Sequence, residues 1–326
     1  MGFSELDVIR EIIRLVPKDP QGLLDIGKDD SFARQMEKGI YVFNSDMLTQ
    51  SSDMLPGMSL RNFSRKCVVA NFSDLASKGA EPVLFMCSLG IPNDASLSKC
   101  RELLEGIVEG TSEYSTYLVG GDISRAEEYV VDGFSVGLVR GKLIPRSGAK
   151  EGDVIYSTGL FGLTWLGYQI LLKGLDAPRD LREKALELLY RPRAHVKAGV
   201  LISKEKLATS STDSSDGLYR ALLNISEASK VSAIVENLPI DPDVEAFLPE
   251  IGVESVEPAF YGGEEYCLVF TAPRDKAKTI EELFYDLKIP LYRIGRIGQG
   301  KGVFLRREDE TLLELPPGGW VHTFQA

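Results

Sequence analysis

Residues 71–82 read Asn71-Phe72-Ser73-Asp74-Leu75-Ala76-Ser77-Lys78-Gly79-Ala80-Glu81-Pro82. Val68, Val69 and Phe72 lead in as an apolar helical run, and Leu75 and Ala76 continue it. Gly79, with Pro82 soon after, marks the stop. Asp74 is therefore a helix-borne carboxylate among apolar neighbours. A buried carboxylate must be ion-paired, hydrogen-bonded, metal-bound or protonated. On this stretch alone, an aspartate bonded to nearby backbone or to an arginine explains the pattern as well as a ligand does.

Outward from this helix, expected over 60–78, the chain alternates strands and helices. Before it come an amphipathic helix over 4–16, a charged glycine turn at Gly27-Lys28-Asp29-Asp30, and a strand at 40–43 ending in Asn44-Ser45-Asp46. A polar loop then reaches Pro56. After the helix come a buried strand at 83–89, a helix at 96–115, a strand at 117–119 ending in Gly120-Gly121-Asp122, and a strand at 130–139. Turn residues and charges cluster over 145–153, which predicts a domain boundary at about 145. The second half is read as a strand at 154–157, helices at 159–172, 181–190 and 193–207, and an acidic serine-rich turn at 213–216. A helix from about 218, strands at 231–235, 264–270 and 292–294, a helix at 275–287 and a last hairpin at 303–305 follow. The class is mixed α and β. The expected domains are 1–145 and 146–326.

Composition narrows the function. A length of 326 residues suits two domains of roughly 150 residues. Net charge is −11, from 48 acidic and 37 basic residues. That balance argues against a basic nucleic-acid-binding face. Cys67, Cys87, Cys100 and Cys267 lack CxxC spacing, and only His195 and His322 join them. A zinc site is not expected, and free thiols in a reducing cytoplasm are. The opening Met-Gly-Phe-Ser-Glu-Leu-Asp lacks the features of a signal peptide. No run approaches the roughly 18 apolar residues of a membrane span.

Asp30, Asp46 and Asp122 are each expected at a strand end or in a glycine turn, where sites are commonly built. Asp213 and Asp216 repeat the theme. Two such charges about 4 Å apart repel by roughly 4 kcal/mol at an effective dielectric near 20. A convergent set therefore needs divalent cations, and oxygen-only ligands favour Mg2+ or Ca2+. Taken singly, each reads better as an ordinary turn aspartate, and spacing alone does not bring them together. Gly295-Arg296-Ile297-Gly298-Gln299-Gly300-Lys301-Gly302 nearly spells a phosphate loop. It lacks the closing Ser or Thr and runs into Val303-Phe304-Leu305, so a glycine hairpin is expected instead. His195, beside Arg191 and Arg193, is read as structural, and the cysteines as core. Gly159-Leu160-Phe161-Gly162 could receive an anion at a helix N-terminus.

Eight pieces occur together in one order: Lys-Asp-Asp (28–30), Ser-Asp-Met-Leu (45–48), the 71–82 stretch, Gly-Gly-Asp-Ile-Ser-Arg (120–125), Arg-Ser-Gly-Ala-Lys-Glu-Gly-Asp (146–153), Asp-Ser-Ser-Asp-Gly-Leu (213–218), Gly-Gly-Glu-Glu-Tyr (262–266) and Gly-Trp-Val-His (319–322). From about residue 23 onward the chain resembles the thiamine-monophosphate kinases. Their superfamily includes aminoimidazole ribonucleotide synthetase, selenophosphate synthetase and a hydrogenase maturation factor. The closing Gly-Trp-Val-His-Thr-Phe points to the kinase branch.

The resemblance implies a Mg2+-dependent, direct transfer of the ATP γ-phosphoryl group to thiamine monophosphate, with no phosphoenzyme. It implies that Asp30, Asp46, Asp74, Asp122 and Asp213 hold Mg2+ with Ser45 and Asn44, and that Asp216 holds another ion. Gly121, Arg146 and Ser215, with Asp30, would meet ATP. Asp53, Glu264 and Trp320 would meet thiamine monophosphate. A homodimer is implied, with the first domain's sheet completing a barrel with its partner's. Lys28, Asn44, Asp53 and Glu265 depart from the residues common at those positions, and they bear on acceptor recognition. Two other readings stay open: a sibling ATP-dependent enzyme with another acceptor, and a non-catalytic nucleotide-binding subunit. Retention of all five metal-site aspartates disfavours the second.

Overall fold

A computed structural model describes residues 3–4, 23–24, 28–37, 39–319 and 323–324. The helix expected over 4–16 lies outside them apart from Ser4. That residue belongs to the two-residue strand β1 (Phe3–Ser4), which pairs antiparallel with β14 (Thr323–Phe324).

Five strands form the first sheet: β2 (Phe32–Met36), β3 (Gly39–Thr49), β4 (Ala80–Pro92), β5 (Leu118–Ala126) and β6 (Val130–Val139). Their spatial order is β2-β3-β6-β4-β5, with β4 and β5 parallel and the other pairs antiparallel. Parallel neighbours need a crossover; here it is the helix Leu97–Glu113. The central helix, Leu60–Ser77, lies on the same face. Ser59 caps it, its side chain accepting from the Asn62 N–H at 3.1 Å. Gly79 ends it in the left-handed region at φ +74°, and a Cβ there would lie 2.4 Å from that of Ser203. Phe72 meets Phe85 and Tyr114 edge-on, with ring centroids 5.8 and 5.4 Å away. Such contacts add to burial of the rings themselves.

The second sheet has seven strands: β7 (Val154–Ser157), β8 (Ser210–Asp213), β9 (Ser232–Val235), β10 (Leu268–Ala272), β11 (Tyr292–Gly298), β12 (Gly302–Arg306) and β13 (Leu312–Glu314). Their order is β13-β12-β9-β11-β7-β10-β8. Strand alternation feeds a core on each face. Ile155 and Val269 pack with the helices Leu163–Lys173, Leu218–Ser229 and Pro242–Ile251. Val154, Tyr156 and Phe270 pack with Val196–Lys204 and Ala277–Asp286. Val196–Lys204 also presses on the central helix, where a Cβ at Gly199 would lie 2.1 Å from the Ala76 carbonyl oxygen. The central helix is thus buried on nearly every side, between its own sheet and the second half.

Several expectations need correction. β3 does not end at Asn44-Ser45-Asp46, because β6 stays paired with it as far as Val130 opposite Thr49. A short helix, Gln50–Asp53, replaces part of the loop. β5 likewise runs through Gly120-Gly121-Asp122, so Asp122 lies within a strand. Glu264 is outside β10: φ is +61° there and +52° at Tyr266, which a strand does not accommodate. The glycines at 295–302 do not make a hairpin. β11 and β12 flank β9, antiparallel and parallel to it, so residues 299–301 arch over its first residue, Ser232. The hairpin is β12–β13. His195 precedes the helix Val196–Lys204 rather than lying inside it.

Candidate active site

Four acids meet at the seam between the halves. Asp74 comes from the central helix, Asp30 from the segment before β2, and Asp213 ends β8. One carboxylate oxygen of each lies within 4.8 Å of the others. Asp46, facing inward from β3, brings its carboxyl against that of Asp74. Asn44, two residues back on the same face, donates from Nδ2 to Asp46 Oδ2 at 2.8 Å. Ser73 Oγ donates to Asp213 Oδ2 at 2.6 Å, and Ser215 Oγ donates to its Oδ1 at 3.2 Å.

Two cations brace one side. Lys78, wholly buried, places Nζ 2.6 Å from Asp29 Oδ1 and also bonds Asp30 Oδ2 and the Ser211 carbonyl oxygen, the last at 3.0 Å. The Arg146 guanidinium bonds Asp30 Oδ1, while its backbone N–H donates to Asp29 Oδ2 at 2.9 Å. Thr212 Oγ1 donates to Asp30 Oδ1 at 2.9 Å.

The charges sort themselves accordingly. Burial pushes Asp30 up, but the charges of Arg146 and Lys78 outweigh it and hold this acid well below the usual carboxylate range. Asp74 rises far above that range, first through burial and then through the charges of Asp46, Asp213 and Asp30. Asp46 rises through burial, against relief from Asp74 and Asn44. Asp213 is pushed up to about 7 by burial and by Asp30. A donor set of carboxylate oxygens that raise one another this way fits a hard divalent cation.

Other expected residues fall elsewhere. Alternation along β3 turns Ser45 to the open face of the sheet, where Oγ donates to Asp132 Oδ1 at 3.2 Å. Asp122 is exposed on β5 opposite Ser88. Neither joins the four acids within this chain. Gly121 is the close-approach point of β5, where a Cβ would lie 1.8 Å from the Cys87 carbonyl oxygen. Asp216 stands in the turn after β8, and its charge acts on Asp213. Arg146 and Ser215 are at the cluster.

Beside it lies a second polar group. Lys66, on the central helix, bonds Glu264 Oε1, and Tyr168 OH donates to Glu264 Oε2 at 2.7 Å. Lys66 Nζ also donates to the Asp53 carbonyl oxygen at 3.0 Å, while Asp53 Oδ2 accepts from the Thr49 N–H at 2.8 Å. Tyr266 is buried, and burial, with the charges of Glu264 and Asp46, raises its hydroxyl. Glu265 is buried, bonded by Thr164 Oγ1, and pushed up to about 7 by burial. Trp320 lies outside the described residues. His195 is pushed down to about 4 by burial and stays neutral near pH 7. Three of the four thiols, Cys67, Cys87 and Cys267, are buried.

Sequence reasoning passed over Lys66, Lys78 and Tyr168. For the two lysines, a signal was present: each is a charge on the same apolar helical run that singled out Asp74. Tyr168 carries no such signal, because a tyrosine in an apolar helix reads as core.

The family pattern described as AIR synthase related protein, N-terminal domain, matches residues 27–139, and the corresponding C-terminal domain matches 150–308. A thiamine-monophosphate kinase of Pyrococcus abyssi is 38% identical over 299 residues, covering 91% of this chain and 90% of the relative. One from Nitrosopumilus maritimus is 35% identical, covering 86% of this chain and 88% of the relative. The structure of AaThiL complexed with AMPPCP and TMP superposes with a TM-score of 0.84 at 24% identity, over 98% of this chain and 97% of its own, and shares the fold.

Proposed function

The chain belongs to the thiamine-monophosphate kinases of the AIR synthase related family, and on that premise we propose that it moves the terminal phosphoryl group of ATP to thiamine monophosphate. The products are thiamine diphosphate and ADP. The observation that carries the reading is the convergence of Asp30, Asp46, Asp74 and Asp213 in a chain whose 38%-identical relative bears that name.

We assign the metal role to Asp30, Asp46, Asp74, Asp122 and Asp213 with Asn44 and Ser45, and a further ion to Asp216. Bound Mg2+ would supply charge neutralisation for the polyphosphate. Phosphoryl transfer asks a protein chiefly for positioning and electrostatics. Arg146 and Ser215, already at the acidic cluster, would orient the nucleotide, with Gly121 giving its backbone close approach. No side chain need serve as nucleophile, since the acceptor's phosphate oxygen forms the new P–O bond as ADP leaves. Asp53, Glu264 and Trp320 would face the acceptor. Ser45 and Asp122 lie on the open sheet face, so their part in the metal set rests on how two chains pair.

We further propose a division at about residue 145 and a homodimer in which the first sheets of two chains close into a barrel. The open face of that sheet carries exposed Met47, Met86 and Phe134. Among the described residues no helix is long and apolar enough to cross a membrane. ATP use and unpaired thiols suit the cytoplasm. The test is direct: purified protein with ATP, Mg2+ and thiamine monophosphate should yield thiamine diphosphate and ADP in equal amounts. ADP without thiamine diphosphate, or turnover only with another acceptor, would refute it.

A further inference from the structure

Lys66 is a lysine with 1% of its side chain exposed, placed on the central helix two turns before Asp74. A buried ammonium persists only where partners replace its water. Its partners come from both halves of the chain. Glu264 Oε1 belongs to the glycine-flanked loop before β10, and the Asp53 carbonyl oxygen, 3.0 Å away, ends the short helix after β3. Glu264 has no freedom left. Tyr168 OH occupies its other oxygen at 2.7 Å, and its own backbone N–H donates to the Ser215 carbonyl oxygen at 2.6 Å. Its φ of +61° is a conformation that non-glycine residues keep only where the surroundings over-determine it. Gly263 just before it, at φ +149°, lets the loop pass close to the Ser215 carbonyl oxygen, 3.2 Å from where a Cβ would stand.

We propose that Lys66 is the positioning residue of the acceptor site, one ammonium that fixes the Glu264 carboxylate and the Asp53 backbone relative to the helix bearing Asp74. The assignment rests on the kinase reading and deepens it. It explains why a buried cation lies beside two acidic acceptor-side positions without touching the four-acid cluster. Glu264 is thereby held in one orientation, so it offers an acceptor a fixed carboxylate surface rather than a mobile side chain. A thiazolium-bearing phosphate ester has the positive ring such a surface suits. Lys66 acts through Glu264; among the described residues its ammonium bonds Glu264 and the Asp53 carbonyl oxygen, not Arg146, Ser215 or the acids of the cluster.

The experiment is steady-state kinetics on Lys66→Met, Lys66→Arg, Glu264→Gln and the double variant Lys66→Met/Glu264→Gln, with melting temperature measured on each. Lys66→Met should raise KM for thiamine monophosphate tenfold or more and change KM for Mg-ATP less than twofold. Lys66→Arg, which keeps the charge, should recover part of the loss. In the Glu264→Gln background, Lys66→Met should add little to KM, because the group it positions has lost its charge. A purely structural lysine would instead lower the melting temperature and leave KM for thiamine monophosphate unchanged, or its effect would multiply with that of Glu264→Gln; either result overturns the proposal. If Lys66→Met does not fold, Lys66→Arg and Glu264→Gln decide: equal and near-native KM values for thiamine monophosphate in both overturn it. Wild-type protein that ignores thiamine monophosphate altogether refutes the kinase reading, and this assignment with it.

Discussion

Ser73 Oγ donates to Asp213 Oδ2 at 2.6 Å, and that single bond ties the central helix of the first half to the last residue of β8 in the second. Ser73 is the neighbour of Asp74, so the contact sets the distance between an acid on that helix and one at the end of a strand of the second sheet. Lys78, four residues on from Asp74, makes a second tie by bonding Asp29, Asp30 and the carbonyl oxygen of Ser211. The acidic cluster is therefore a property of the seam rather than of either half.

Removing the ammonium at the seam should be costly. Lys78→Met leaves Asp29 and Asp30 buried without the ammonium that bonds both, and breaking a buried pair by deleting one partner costs about 3–5 kcal/mol. Denaturant unfolding should show a loss of that size, partly restored by Mg2+. A change under about 1 kcal/mol without metal would mean the pairing contributes little.

The pH response follows from Asp213, raised from 3.8 to about 7. Between those values the folded protein holds a proton that the unfolded chain has released. Metal-free stability therefore falls as pH rises through that window. A cation needs the ionised form, so Mg2+ affinity should climb over the same range, by up to about tenfold per pH unit for each proton displaced. Melting curves from about pH 5 to about pH 8 should decline without Mg2+ and flatten or reverse with it. Parallel curves with and without the ion would detach Asp213 from metal binding.

Much of this is legible in the sequence alone. The central helix follows from Val68, Val69, Phe72, Leu75 and Ala76 at helical spacing with Gly79 behind them, and it spans Leu60–Ser77. Strands β6 and β7 fall where the apolar runs put them. Asp46 and Asp122 were harder, because a polar residue inside a strand looks like the strand's end when its pairing partner is unknown. The arch over β9 was hidden for the same reason: strand order is a long-range property, and glycines mark a turn without saying what it crosses. The convergence of the four acids depends on the packing of two sheets around one helix, which no spacing encodes.

The open face of the first sheet supports a test of assembly. Phe134 on β6 is 38% exposed and stacks against Phe43 with centroids 6.5 Å apart, while Met47 is 59% exposed. Phe134→Glu with Met47→Glu should convert a homodimer of roughly 72 kDa to a monomer of roughly 36 kDa in sedimentation equilibrium, because charges in an apolar interface lose their water without gaining partners. If Ser45 and Asp122 join the metal set only in the dimer, activity should fall as dimerisation is lost. An active monomeric wild-type protein would remove both the interface and that dependence.

Asp74→Asn separates a ligand from a structural aspartate. Burial and the charges of Asp46, Asp213 and Asp30 all work against ionised Asp74, so a neutral amide relieves the fold rather than straining it. The hydrogen bond from Ser77 Oγ goes to the Asp74 backbone carbonyl, at 2.8 Å, and survives the change. Stability near pH 8 should therefore hold or rise, by an amount that shrinks as the pH drops and wild-type Asp74 takes up its proton. Turnover should fall about 100-fold or more, the scale seen when one preorganised electrostatic group is lost, and the Mg2+ concentration needed for half-maximal rate should increase. An aspartate kept for its hydrogen bonds gives the opposite pair of results: a lower melting temperature, and activity that tracks the folded fraction with unchanged Mg2+ dependence. Melting and rate measured on the same preparation, with and without Mg2+, decide between them.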